Sequence, residues 1–251
     1  MVGKVHLMLV TKNEGSRYLP KFIEHHNFFN NVFVYDDRSE DNTVELAKSQ
    51  NWNVVVRQED EPSFIEHEGK FRFNSWKHFE ETMQPKEEDW ILSIDADEFL
   101  ITDTNLTIEE ALINEIDKAE SLNFHSIKMF RREVWKMDAS GCHLRVDGFW
   151  KNDILFRLFK YRPDAQWSKK PMGCGSAPTY VGHSGQLTED LTVLHFGYTN
   201  QEDRQTRYDR YTSLVDHGHN DQHIKSIIVN PTLKKYSGPL PEWAKEKIET
   251  V

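Results

Sequence analysis

The sequence predicts an α/β fold: a mainly parallel sheet flanked by helices, with a smaller mixed β region in the C-terminal half. Three observations carry this. Short apolar runs at Val5–Val10, Val32–Tyr35, Asn53–Val56 and Trp90–Ile94 read as buried strands, and helix-period segments alternate with them. Polar clusters follow the first, second and fourth runs directly, rich in carboxylates after the second and fourth. From Ser126 the pattern changes to short strands broken by glycine- and proline-containing loops.

Taken in order, Val5–Val10 is the first strand and Arg17–Phe29 the first helix, with Pro20 tolerated in its opening turn. Val32–Tyr35 is the second strand, and Asn42 with Glu45 offers a capping box for a helix through Lys48. Asn53–Val56 is the third strand, Phe73–Met83 a helix, and Trp90–Ile94 the fourth strand. Thr107 and Glu110 form a second capping box, and Ile108, Ala111, Leu112, Ile116 and Ala119 follow at helical spacing to about Leu122. Strands are then expected at Ser126–Phe130, Ile154–Tyr161 and Leu191–Leu194, and a charged helix at Gln201–Val215. The last 20 residues hold Pro231, Pro239 and Pro241 and read as an irregular tail. The expected organisation is one domain over residues 1–230, divided into halves 1–101 and 102–230, then a tail over 231–251.

A net charge of −10 disfavours broad nucleic-acid binding, although a local basic patch and a nucleic-acid acceptor stay open. Cys142 and Cys174 are the only cysteines and lack metal-site spacing, so a reducing, cytoplasmic compartment is expected. The apolar N-terminal run contains His6 and falls far short of the roughly 20 residues needed to span a bilayer.

Ligands of parallel sheets gather at the carboxyl ends of the strands. Asp95 and Asp97 stand there after the fourth strand, and hard oxygen donors of this kind suit Mg²⁺ or Mn²⁺. A metal so held can neutralise charge on a departing diphosphate. Asp-x-Asp alone is also an ordinary solvated turn. Thr11-Lys12-Asn13-Glu14-Gly15 lacks a phosphate-loop glycine pattern, so its side chains rather than a glycine nest would meet a ligand. Asp36 and Asp37 end the second strand, where a carboxylate can accept hydrogen bonds from a base N–H or a ribose hydroxyl. His195, in Leu194-His195-Phe196-Gly197-Tyr198, ends a later strand at a further potential ligand before a glycine turn.

Thr-Lys-Asn-Glu after the first strand, Val34-Tyr35-Asp36-Asp37-Arg38-Ser39 after the second and Ile94-Asp95-Ala96-Asp97-Glu98-Phe99 together resemble the family 2 glycosyltransferases of the GT-A fold, over residues 4–101. Leu19–His26, Asp97–Leu100 and the late His-Phe-Gly-Tyr resemble the branch that binds a divalent cation. The resemblance implies Thr11, Asn13, Glu14, Asp36 and Asp37 around the nucleoside of a nucleotide-sugar donor, usually a UDP-sugar. It implies Asp97 and His195 on a Mn²⁺ or Mg²⁺ ion, and Asp95 on ribose or metal. Gly69–Lys77 resembles the segment that brings basic groups to the nucleotide, which makes Arg72 a candidate. Inverting transfer to a hydroxyl acceptor needs a carboxylate base. Thr188-Glu189-Asp190 resembles the family's acidic pair, so Asp190 and Glu189 are the candidates, although the aromatic acceptor segment expected after them is absent.

Two rivals are an Asp-nucleophile phosphohydrolase or phosphotransferase, whose Asp-x-Asp-x-Thr/Val pattern Phe99 breaks, and a nucleotide-sugar-binding module without chemistry. His217, His219 and His223 offer a weaker zinc reading. Arg204, Arg207 and Arg210 are placed to reach a diphosphate or to form surface ion pairs. Arg157, Lys160, Arg162, Lys169 and Lys170, interleaved with aromatic residues, fit either a polyanionic acceptor or a hairpin with its aromatics in the core. The acceptor class stays open among protein, glycan, lipid-linked sugar and modified nucleobase.

Overall fold

In the computed structural model the apolar runs become strands and the periodic segments helices. The structure describes residues 3–151, 153–183, 185–213 and 221–249. Along the chain these are β1 (Val5–Thr11), α1 (Leu19–His25), β2 (Val32–Asp36), α2 (Thr43–Ser49), β3 (Asn53–Val56), α3 (Glu68–Met83), β4 (Trp90–Asp95) and β5 (Glu98–Thr102). They continue as α4 (Ile108–Ser121), β6 (Ser126–Asp138), β7 (Gly141–Arg145), β8 (Asp153–Lys160) and β9 (Gln186–His195). Last come α5 (Gln201–Ser213), α6 (Asp221–Ser226), β10 (Leu233–Lys235) and α7 (Glu242–Glu249). The α/β class expected from the sequence is observed. None of the described helices is long and apolar enough to cross a membrane.

The chain divides into two compact units interleaved in sequence: Met1–Ala96 with Ile113–Lys128 and Phe156–Leu187, and Asp97–Leu112 with Met129–Leu155 and Thr188–Val251. In the first, β3, β2, β1 and β4 pair in parallel in that order and β8 adds antiparallel to β4. Met8, Phe33, Tyr35 and Ile91 bury one face of this sheet against Phe71, Trp76 and Phe79 of α3, with Phe159, Tyr161 and Trp167 completing the cluster. Leu7, Leu9, Val32 and Val34, which alternate with those residues, are buried as well, the two-sided burial expected of parallel strands. In the second unit β5 pairs antiparallel with β9, and β7 pairs antiparallel with β6 and β10.

Several boundaries depart from the sequence reading for local physical reasons. The Thr107–Glu110 box forms: Glu110 N donates to Thr107 Oγ1 at 3.2 Å, and Thr107 N to Glu110 Oε2 at 2.9 Å. The Asn42–Glu45 box does not, because Asn42 makes no side-chain cap; Asp41 Oδ1 instead accepts from Thr43 N at 3.0 Å. Helix α3 begins earlier than Phe73, where the imidazole of His67 accepts from Lys70 N. Gly69 lies in its first turn, and a Cβ there would stand 2.3 Å from Ser168 O, so only glycine lets the two backbones approach. The tail is not irregular: β10 pairs with β7, and α7 buries Ala244. Val215, the expected end of the charged helix, lies outside the described residues.

Candidate functional site

In the first unit, parallel pairing sets Thr11 beside Asp36 and Val10 beside Asp95, so the carboxyl ends of β1, β2 and β4 open side by side. The loops leaving them are laced together. Thr11 Oγ1 donates to Asp36 Oδ2 at 3.0 Å, and Ser39 Oγ donates to the same oxygen at 2.6 Å. Asn13 N donates to Ser39 Oγ at 2.8 Å, Glu40 N returns a bond to Asn13 Oδ1 at 2.8 Å, and Glu14 N donates to Thr43 Oγ1 at 2.8 Å. Asn13 and Arg38 hold left-handed backbones, with φ of 53° and 60°. Thr11, Asn13, Glu14 and Asp36, read separately from the sequence, thus form one loop cluster. Asp37 is turned to its own partners: Arg57 Nε at 2.5 Å and Phe64 N at 3.2 Å. Asp36 and Asp37 are buried, so both carboxylates hold the loops in shape.

Asp95 stands between two buried guanidiniums. Arg72 Nη1 from α3 lies 4.0 Å from Asp95 Oδ1, and Arg157 Nη2 from β8 lies 4.0 Å from Asp95 Oδ2. Arg72 is fixed by Glu68, which accepts from its Nε at 2.9 Å and from Cys174 N at 2.9 Å. Two buried guanidiniums beside one carboxylate favour a further anion. Arg157 is the residue that the sequence reading left on a solvated face or an acceptor patch. The structure buries it instead, while Phe159, Tyr161 and Trp167 of the same stretch enter the core as alternation allows.

In the second unit, Asp97 immediately precedes β5 and His195 closes β9. The antiparallel pair Glu98–His195 and the bond from Phe196 N to Asp97 O, 2.9 Å, bring the two nominated ligands together. His195 Nε2 lies 3.2 Å from Asp97 Oδ2. Beneath them Phe99 and Phe196 meet edge to face at 5.4 Å, and Trp243 of α7 packs on both, so the supposed tail buttresses this turn.

The remaining imidazole nitrogen, Nδ1, is 2.5 Å from Glu133 Oε2, and Glu133 is fully buried on β6. Arg131 Nε lies 2.7 Å from Glu133 Oε1, close enough for an ion pair but off the line of a hydrogen bond; Arg131 Nη2 is 2.5 Å from Asp153. Arg131, Glu133, His195, Asp97 and Arg207 therefore alternate in charge through the interior of this unit. Burial lowers the imidazole's proton affinity, but the carboxylates of Glu133 and Asp97 outweigh it and push His195 up to about 10. Burial raises Glu133, yet Arg131 and His195 reverse that, and its carboxyl falls below the usual range. Arg207 completes the series, its Nη2 donating to Asp97 Oδ2 at 2.6 Å.

Gly197 makes room for this convergence. A Cβ built on it would stand 2.3 Å from Arg207 Nη2, 2.3 Å from Asp97 Oδ2 and 2.7 Å from His195 Nε2. Donors bound to one Mg²⁺-sized ion at about 2.1 Å and at right angles lie about 3.0 Å apart, and Asp97 Oδ2 and His195 Nε2 are 3.2 Å apart. Once the Nε2 proton is released, as metal binding requires, the pair fits adjacent positions on a small divalent ion, with the Glu133 carboxylate orienting the ring from Nδ1. No group of three or more His, Cys, Asp or Glu suited to a metal occurs among the described residues. Two protein donors completed by phosphate and water is how Mg²⁺ is commonly held.

Asp190 and Glu189 are not brought to this cluster. β9 is continuous from Gln186 to His195, and at roughly 3.3 Å per residue the two lie about 17 and 20 Å from His195. Asp190 also falls on the opposite face of the strand from His195. His217 and His219 lie outside the described residues, and His223 stacks on Trp150 at 4.6 Å. Arg204 donates to Tyr198 O at 2.7 Å, a structural bond rather than a surface ion pair. Glu133, Arg131, the place of Arg157 beside Asp95 and the role of Gly197 were missed from the sequence. Only the glycine after His195 carried a local signal.

No protein-family model matches the chain. It is 32% identical over 106 residues to an uncharacterized glycosyltransferase of Rickettsia prowazekii, which takes in 42% of this chain and 32% of that protein. The chain therefore spans about a third of the length of the curated relatives it matches. Among solved structures, S. aureus TarS 1–349 in complex with UDP-GlcNAc is similar with a TM-score of 0.47 and 12% identity, over 90% of this chain and 70% of that one. Glucosyl-3-phosphoglycerate synthase from Mycobacterium tuberculosis, in complex with Mn²⁺ and UDP-glucose, gives 0.36 and 17% over 52% of this chain and 44% of that one.

Proposed function

We propose that this chain is a divalent-metal-dependent glycosyltransferase of GT-A architecture that moves a sugar from a nucleotide-diphosphate donor, a UDP-sugar, to a hydroxyl acceptor with inversion. The observation that carries the reading is the approach of Asp97 Oδ2 and His195 Nε2 to 3.2 Å beside a glycine whose missing Cβ lets them converge with Arg207. The 32% identity to a glycosyltransferase over 106 residues supports the reaction class.

In this reading Thr11, Asn13, Glu14 and Asp36 shape the nucleoside loops, Asp37 braces them through Arg57, and Asp97 and His195 ligate Mn²⁺ or Mg²⁺. The bound ion supplies Lewis-acid neutralisation of the leaving diphosphate. Arg72 and Arg157 hold Asp95 in a positive setting suited to ribose or phosphate oxygens. Glu133 keeps the His195 ring oriented with Nε2 toward Asp97. A general base must touch the acceptor hydroxyl, and about 17 Å of strand separates Asp190 from His195. The proposal therefore leaves the base outside Asp190 and Glu189.

A thermal-unfolding panel of UDP-, GDP-, CMP- and dTDP-sugars with and without Mn²⁺ tests this. A donor at about 100 times its dissociation constant adds about 2.7 kcal/mol to native stability, which in a chain of this size raises Tm by roughly 5–10 °C. The expected outcome is a rise of that order with UDP-sugars that requires Mn²⁺. A flat panel would sink the donor assignment.

A further inference from the structure

The geometry points to Arg207 as an exchangeable counter-cation of Asp97: its guanidinium holds the carboxylate when no divalent ion is bound, and the ion must displace it to reach Asp97 Oδ2. This rests on the metal-dependent reading above and goes beyond it by giving the site a built-in competitor.

Three observations carry the inference. Arg207 Nη2 and His195 Nε2 address the same oxygen, Asp97 Oδ2, at 2.6 and 3.2 Å, so the guanidinium already holds the oxygen that an ion shared by Asp97 and His195 would need. An ion at about 2.1 Å from that oxygen would face an adjacent positive charge in a water-poor setting, where like charges at about 4 Å repel strongly. The arginine also has somewhere to go. Its side chain is 23% exposed, its guanidinium carbon lies 4.8 Å from the Tyr198 ring centroid, and Gly197 offers no Cβ in the space it would cross.

Once released, the guanidinium is a planar fork matched to phosphate oxygens. The anion that accompanies the metal in the proposed reaction is a nucleoside diphosphate. Arg207 would thus pass from a carboxylate to a diphosphate as metal and donor load, which makes each ligand's binding depend on the other's.

The test is Mn²⁺ binding followed by the EPR signal of the free ion, without nucleotide, then UDP binding by calorimetry at saturating Mn²⁺, on wild type, Arg207→Ala and Arg207→Lys. Circular dichroism and Tm confirm folding, and Arg207→Met, which keeps packing over Tyr198, replaces alanine if that variant unfolds. The expected result for Arg207→Ala is Mn²⁺ affinity at least tenfold higher with UDP affinity at least tenfold lower, while Arg207→Lys, which keeps the charge without the fork, stays near wild type for Mn²⁺ and falls between the two for UDP. An arginine that merely orients Asp97 gives the opposite sign, weaker Mn²⁺ binding on its removal. Wild-type Mn²⁺ binding left unchanged or weakened by Arg207→Ala overturns the exchange alone. Wild type that fails to bind Mn²⁺ even with UDP overturns both the exchange and the metal-dependent reading.

Discussion

Replacing Gly197 by alanine tests the metal cradle with a single methyl group. Gly197 is not among the glycines with positive φ, so an alanine backbone is admissible there and the whole effect is the added carbon. That carbon would meet Arg207 Nη2 and Asp97 Oδ2 at 2.3 Å and His195 Nε2 at 2.7 Å. Ordinary carbon contacts lie nearer about 3.5 Å, so each polar atom must retreat by about 1 Å. Metal–ligand distances tolerate only about 0.2 Å. Overpacking of this kind costs about 1–3 kcal/mol of stability, so the variant should remain folded with a lower Tm. Mn²⁺ affinity should fall at least about 100-fold, since displaced outer-shell partners alone cost 10–100-fold. Calorimetric titration of Mn²⁺ beside a thermal melt reads both quantities. A folded Gly197→Ala protein that binds Mn²⁺ as wild type does would refute the reasoning, because the convergence around that glycine would then have nothing to do with metal.

Three further outcomes concern Glu133, the buried His26 and the cap of α4. Glu133→Gln removes the charge behind His195 and leaves Arg131 short of a buried partner; Mn²⁺ affinity should fall 10–100-fold and stability by about 3 kcal/mol, read by titration and urea unfolding. Burial holds His26 well below its usual value with His25 adding to the effect, so the unfolded state takes up a proton first as pH falls below about 6.5 and stability drops with it. His26→Gln should flatten that slope by up to about 1.4 kcal/mol per pH unit, and an unchanged slope between pH 5 and 6.5 would count against a buried neutral ring. Thr107→Ala should cost about 1 kcal/mol by opening the capping box of α4, with no change in Mn²⁺ binding.

What the sequence made legible was whatever depends on near neighbours. Val5–Val10 and Trp90–Ile94 are apolar runs long enough to declare buried strands, and the residues at their ends, Thr11 and Asp95, are placed by the strand alone. Ile94 led into Asp97, and Leu194 into His195, so both nominated ligands stood at recognisable strand ends. The two lie 98 residues apart and meet through the antiparallel pairing of β5 with β9, which no local pattern encodes. Glu133, and the bond that Arg207 makes to Asp97, were hidden for the same reason: the partners lie 62 and 110 residues away. Within Arg131-Arg132-Glu133 the charges look like a solvated face, whereas β6 buries Glu133 fully and leaves the arginines half-buried. β9 begins at Gln186 rather than at Leu191, so Glu189 and Asp190 lie within the strand, several residues before His195, which the apolar run from Leu191 did not reveal. The proline-rich end hid α7, whose Trp243 is held by Phe99 and Phe196 rather than by any helical signal of its own.

The most direct measurement is calorimetric titration of UDP onto the wild-type chain and onto Asp97→Asn, each with and without Mn²⁺. The account predicts that Mn²⁺ strengthens UDP binding to wild type at least tenfold and leaves Asp97→Asn unaffected. UDP binding to wild type that is indifferent to Mn²⁺, or a Mn²⁺ effect that survives intact in Asp97→Asn, would contradict it.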